Sequence, residues 1–102
     1  MLLVQGDVFL TKAQNVPERS HRVKRSNIGY VLATEQSTGH VYVIEEEVEL
    51  YENHGTLYVK TDRRVYLKHD EHKAVQIDEG VWEVCRVRDY ELLSERVCFI
   101  LN

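Results

Sequence analysis

Between residues 28 and 88 the chain is a succession of short apolar-rich runs, each closed by a polar turn, and no stretch before Tyr90 keeps a helical apolar period. Amphipathic helices need apolar residues to recur about every 3.6 positions, whereas half-buried strands need alternation over about four to eight residues. The pattern therefore predicts an all-β domain, a small antiparallel barrel or two-sheet sandwich of roughly seven to nine short strands. The 102 residues suffice for one core and leave little for a second, so residues 1–102 are read as one β domain.

Turn chemistry divides the runs. Residues 28–34 and 40–46 flank Glu35-Gln36-Ser37-Thr38-Gly39, where Gly39 supplies the positive φ that a hairpin loop of this size requires. Residues 48–51 and 56–60 flank Glu52-Asn53-His54-Gly55, and a four-residue loop there sets Leu50 opposite Leu57 and Val48 opposite Val59. A turn at residues 61–64 leads to strands at 65–69, 74–77 and 81–88. Residues 4–12 read as a first strand, with Val8 and Leu10 on one face and Phe9 on the other. The expected core is Val8, Leu10, Val31, Val41, Val43, Leu57, Val59, Val75, Ile77, Trp82, Val84 and Phe99.

Residues 92–102 admit two readings. Leu92, Leu93, Val97, Ile100 and Leu101 would line one face of a helix, while Val97, Phe99 and Leu101 alternate as in a strand. The strand is preferred, because Val, Cys, Phe and Ile in succession are poor helix formers. A turn at Glu91-Leu92 would then set Cys85 opposite Cys98, Val84 opposite Phe99 and Trp82 opposite Leu101. Two cysteines without C-x-x-C spacing suggest neither a disulfide framework nor a zinc or redox motif, and they read as reduced core residues.

A formal charge of −4 gives no general attraction to nucleic acid or anionic lipid. The apolar start, Met1 to Val4, is too short for a signal peptide or a membrane span, so a cytoplasmic location is expected. Against the acidic background, residues 13–27 form a basic loop with Arg19, His21, Arg22, Lys24 and Arg25. It is long for a connection in a small domain, and its cations suit phosphates or an acidic protein partner. Tyr30, Tyr42, Tyr51, Tyr58 and Tyr66 offer rings on which bases could stack, or simply core area. No phosphate-binding glycine loop of the G-x-x-x-x-G-K-[ST] type and no G-x-S-x-G elbow is present.

The candidate chemistry is carried by histidines. His69 and His72 bracket the turn His69-Asp70-Glu71-His72, and His40 opens the strand after Thr38-Gly39. Three converging imidazoles with an open position would make a site for Zn, Fe or Ni, with Asp70 or Glu71 as a further ligand or an orienting acceptor. The bland alternative is that His69 and His72 are solvated turn residues and His40 ends a strand; H-x-x-H spacing alone does not decide.

The runs GDVFL (6–10), VLATEQSTGHVYVI (31–44) and HDEHKAVQIDEGVWEVCRVRDY (69–90) resemble a functionally uncharacterised family of small β-rich proteins of bacteria and their phages. That family's motifs are G-D-V, T-G-H-x-H, and H-E-E-H followed by P-x-G-x-Y-x-V and Q-R-E-Y. The resemblance implies special standing for Gly39, His40, His69, His72, Gly80 and Tyr90. This chain departs from the motifs at Tyr42, where the second histidine of T-G-H-x-H would stand, and at Val87, in place of the glutamine. If four histidines form a metal set in the family, this chain keeps three. H-x-H spacing with a glycine corner is also similar to cupin metal barrels, an analogy of fold only.

The leading functional expectation is a small non-enzymatic accessory module, with no cofactor, that acts by contact with a protein partner or a second copy through a sheet edge. The alternatives are a metal-binding cupin-like protein using His40, His69 and His72, and a nucleic-acid-binding module using Arg19, Arg22, Lys24 and Arg25.

Overall fold

The computed structural model describes residues 2–5, 8–35 and 37–86. Among them are no helix and ten strands: β1 (Leu2–Gln5), β2 (Val8–Ala13), β3 (His21–Val23), β4 (Tyr30–Thr34), β5 (Val41–Ile44), β6 (Glu49–Asn53), β7 (Thr56–Thr61), β8 (Val65–His69), β9 (His72–Ile77) and β10 (Gly80–Arg86). They form two sheets of antiparallel pairs, a larger one in the order β1-β2-β10-β7-β6-β3 and a smaller one in the order β4-β5-β8-β9. This is an all-β sandwich, the second of the two architectures expected. No helix of the described residues is long and apolar enough to cross a membrane.

The inner faces follow from alternation. In β8 the pattern is strict, with Val65, Leu67 and His69 buried and Tyr66 and Lys68 exposed between them. On the facing sheet Val84 pairs with Leu10 and Leu57, and Trp82 with Val59. These residues meet Tyr30, Leu32, Tyr42, Ile44 and Ile77 in one core. Trp82 is 1% exposed and donates its indole N–H to the Asp78 carbonyl at 2.9 Å, which satisfies its one polar group. Outside it, Lys12 Nζ lies 4.9 Å from the ring centroid and donates to the Glu79 carbonyl at 2.8 Å, its chain crossing Gly80.

Four expectations change. The span 4–12 is not one strand: β1 and β2 are separate strands that pair antiparallel, with Gln5 opposite Val8. Between β6 and β7 the loop is His54-Gly55 alone, with φ of 50° and 82°, the doubly positive pair of a type I′ turn. The register consequently moves by two, so that Leu50 faces Val59 and Glu52 faces Leu57. An even shift keeps every side chain on its face, and Leu50, Leu57 and Val59 stay inward.

In β4 and β5 the face itself is inverted. Tyr30, Leu32, Tyr42 and Ile44 are buried, while Val31, Val41 and Val43 are only half-buried on the outer side. A ring buries more area than an isopropyl group, so the phase that hides Tyr42 prevails. A register irregularity between Val31 and Ala33 lets both Leu32 and Ala33 reach the core.

The basic segment is not a free loop. β3 pairs with β6, Val23 packs on the core, and Ser26 and Gly29 exchange backbone hydrogen bonds of 2.9 and 3.2 Å. The readings of residues 92–102, of Cys98 and Phe99, and of the motif positions Val87 and Tyr90 lie outside the described residues. Cys85 is buried.

One relationship places the site. Among the described residues, the backbone ladder between the two hairpins of the smaller sheet, β4–β5 and β8–β9, has two residue pairs, Val43 with Lys68 and Ile44 with Leu67. Beyond Val43, toward the hairpin turns, the contacts are between side chains: the Tyr42 ring packs on His69 at 4.4 Å, and His40 Nδ1 lies 3.3 Å from Glu71 Oε1.

Candidate metal centre

Each wall of the site is the mouth of a hairpin. In the first, the Glu35 N–H donates to the His40 carbonyl at 2.8 Å, and the Gly39 N–H to the Glu35 carbonyl at 2.8 Å, with Gly39 at φ 78°. Glu35 and His40 are thereby held across from each other. The Thr38 hydroxyl donates to Glu35 Oε1 at 2.6 Å and accepts the His40 N–H at 3.2 Å, which ties the carboxylate to the turn. In the second hairpin a register shift between Leu67 and His69 brings His69 opposite His72 and leaves Asp70-Glu71 at the tip.

The two mouths converge. One ligand-type atom from each of Glu35, His40, His69 and Glu71 lies within 4.8 Å of every other. His40 Nδ1 is 3.3 Å from Glu71 Oε1, and its Nε2 is 3.8 Å from Asp70 Oδ2. His69 Nε2 is 3.9 Å from Glu35 Oε1; the His69 side chain is 0% exposed, and this nitrogen has no hydrogen-bond partner among the described residues. Its ring is walled by Tyr42 at 4.4 Å and His72 at 4.6 Å, and meets His40 edge-on at 5.6 Å and 85°.

His69 also carries a proton constraint. The backbone N–H of Glu71 points at His69 Nδ1, 3.0 Å away. A ring nitrogen that accepts a hydrogen bond bears no proton, so in the neutral imidazole the proton sits on Nε2, facing Glu35.

Of the three histidines singled out from sequence, His40 and His69 enter the cluster and His72 does not; it is exposed and contributes its ring as a wall. Asp70, at 80% side-chain exposure, stands at the rim, and Glu71 is a full member. Sequence reasoning missed Glu35 because it lies in a polar turn, where a solvated side chain is the default. The signal was its place opposite His40 in the hairpin. Tyr42, standing where the resembled family has its second histidine, packs on His69 instead.

The basic residues form no comparable cluster. Arg19, Arg22, Lys24 and Arg25 are exposed along and beside β3; Arg22 lies 5.5 Å from the Tyr51 ring centroid, and Arg25 donates to the Glu45 and Ser26 carbonyls at 3.1 Å. Of the five tyrosines named as stacking faces, Tyr30 and Tyr42 are core residues and Tyr66 is 38% exposed.

Chemically, two carboxylates and an imidazole with spare lone pairs, beside a third carboxylate, form an acidic hollow suited to a divalent cation. A tetrahedral zinc with bonds of about 2.0–2.2 Å spaces its ligand atoms about 3.3–3.6 Å apart. His40 Nδ1 and Glu71 Oε1, 3.3 Å apart, already stand at that spacing, while the cluster as a whole extends to 4.8 Å.

A family model described as Domain of unknown function (DUF8820) matches residues 4–87, most of the chain and every residue of the cluster. No curated protein matches the chain, and no solved structure does.

Proposed function

We propose that this chain, which belongs to the Domain of unknown function (DUF8820) family, binds one divalent transition-metal ion between two hairpin mouths, with Glu35, His40 and Glu71 as ligands. The observation that carries this reading is the meeting of Glu35 and His40 from one hairpin with Glu71 from another, at the place where the ladder between them stops. Three like charges, on Glu35, Asp70 and Glu71, surround His40 and the buried His69, and a cation between them would offset that repulsion. With one imidazole and two carboxylates the expected ions are Zn, Fe or Ni, and also Mn.

Metal analysis of the purified protein, followed by titration of the chelator-treated protein with Zn²⁺, tests this. About one ion per chain is expected, lost in His40→Ala and strongly weakened in Glu35→Gln and Glu71→Gln, each variant still melting cooperatively. Metal-free protein that takes up no Zn²⁺, Ni²⁺ or Mn²⁺ would overturn the reading.

A second reading, contact with a protein partner, rests on a different observation. On the outer side of the smaller sheet Val31 faces Val43 across β4 and β5, and Tyr66 is 38% exposed, so this face offers apolar area to another molecule. Sedimentation at several concentrations tests self-association through it, with Val43→Lys as the disrupting variant; a monomer at every concentration would remove the second-copy form of this reading.

A further inference from the structure

We infer that His69, although it belongs to the cluster, is not a metal ligand but the donor that orients Glu35, so that the ion keeps a single imidazole and at least one open coordination position. This rests on the metal reading above. The step from geometry is a count of protons and lone pairs. For His69 to ligate through Nε2, that nitrogen must present a lone pair, which in a neutral imidazole moves the proton to Nδ1. An Nδ1–H would then point at the Glu71 N–H, which donates to the same nitrogen at 3.0 Å. Two hydrogens would face each other, and a part-buried backbone donor would lose its acceptor.

Histidines that do ligate show the opposite arrangement, with the second ring nitrogen donating to a carbonyl or carboxylate. Here the second nitrogen accepts. With the proton on Nε2, His69 has a donor buried at 0% side-chain exposure, 3.9 Å from Glu35 Oε1 and without a partner among the described residues. That separation is too long for a hydrogen bond, and a small approach of Glu35 makes one. The donor then fixes which carboxylate oxygen turns toward the ion, supporting the hold of Thr38 on the same side chain.

Removing His69 as a ligand leaves Glu35, His40 and Glu71. Three protein ligands with a vacant position characterise sites that take water or an exogenous group, whereas structural sites are closed by four. The site is thus of the open kind.

The test uses wild-type protein and two variants. His69→Gln places an amide N–H near the position of Nε2, whereas His69→Leu fills the same volume without a donor. Zn²⁺ titration is expected to show His69→Leu weakened by about 10- to 100-fold, His69→Gln brought back to within a few-fold of wild type, and His40→Ala far below both. Loss in His69→Gln and His69→Leu as complete as in His40→Ala would make His69 a ligand and overturn the inference. Unchanged affinity in His69→Leu would reduce it to core packing and overturn the inference too.

Long-range ¹H–¹⁵N spectra of the wild-type imidazoles supply a readout independent of variant folding. The His69 proton is expected on Nε2 both before and after Zn²⁺ is added, while His40 alone changes to a ligated pattern. A proton on Nδ1 of His69 in the metal-free protein sinks the inference whether or not metal binds. Failure of any ion to bind, with the Nε2 tautomer intact, sinks the metal reading instead.

Discussion

The ring of Tyr42 lies 4.4 Å from the ring of His69, tilted by 37°, and so forms the inner wall that separates the acid–histidine cluster from the core. Tyr42 is 1% exposed and belongs to that core. Truncation to alanine removes an aromatic ring from a packed interior, at a cost of about 3–5 kcal/mol. Tyr42→Ala is therefore expected to unfold at much lower urea concentration, and, where it remains folded, to bind Zn²⁺ more weakly because His69 loses the surface that fixes its ring. Urea denaturation with and without Zn²⁺ measures both effects.

How much of this was legible in sequence depends on which interactions are local. The hairpins could be read because their turns carry their own chemistry, Gly39 in one and His54-Gly55 in another. The inner face of β4 and β5 could not, since Tyr30-Val31-Leu32-Ala33 and Val41-Tyr42-Val43-Ile44 are apolar on both sides and alternation gives no phase. Three of the cluster's four residues, His40, His69 and Glu71, could be named from the sequence, and Glu35 could not. His40 and His69 stood out by type, but their meeting depends on the pairing of β5 with β8, which are separated in sequence by β6 and β7. Glu35 became informative only once its backbone was seen bonded to His40.

Two glycines of nearly equal φ separate backbone strain from crowding. Gly29 has φ 131° and Gly80 has φ 134°, a region that side chains avoid. A Cβ on Gly29 would meet the Ile44 carbonyl oxygen at 2.6 Å and Val43 Cγ2 at 2.9 Å, and the strand backbone cannot retreat without breaking the β4–β5 ladder. A Cβ on Gly80 would meet the Lys12 side chain, its Cε at 2.8 Å, which can swing away at the loss of its place over Trp82. Gly29→Ala is expected to cost about 3 kcal/mol or more, and Gly80→Ala about 1–3 kcal/mol. Urea denaturation of the two variants side by side checks the order; equal losses would mean that crowding at Gly29 contributes nothing.

The β6–β7 turn offers a stabilising change. His54 holds φ 50° and Gly55 φ 82°, and Asn-Gly is the preferred pair for this geometry. His54→Asn is expected to raise stability by about 0.5–1 kcal/mol, and Gly55→Ala to lower it by about 1–2 kcal/mol, the penalty of a side chain in the left-handed region. A Cβ on Gly55 meets nothing within 4 Å, so the second effect is conformational alone. Thermal melts of both variants measure it.

The pair Glu45 and Lys68 ties β5 to β8 on the outer face, with Lys68 Nζ 2.8 Å from Glu45 Oε1. The hydrogen bond from Lys68, and then its charge, hold the Glu45 carboxyl below its ordinary value of 4.5, and the same partner, by hydrogen bond and charge, raises Lys68 above 10.5. The signs fix the pH window. A carboxyl depressed in the folded state lends stability above its unfolded value, which is lost as pH falls through the folded value, below 4.5; an ammonium raised in the folded state lends stability that is lost as pH climbs above 10.5. Both groups are well exposed, so the contribution is small and screened by salt. Lys68→Met is expected to return the Glu45 carboxyl midpoint toward 4.5 in a ¹³C titration. Its stability deficit relative to wild type should be present at neutral pH and shrink at acid pH or high salt. A deficit that stays constant from neutral to strongly acid pH would mean that Lys68 acts through packing of its stem on the sheet and not through its charge.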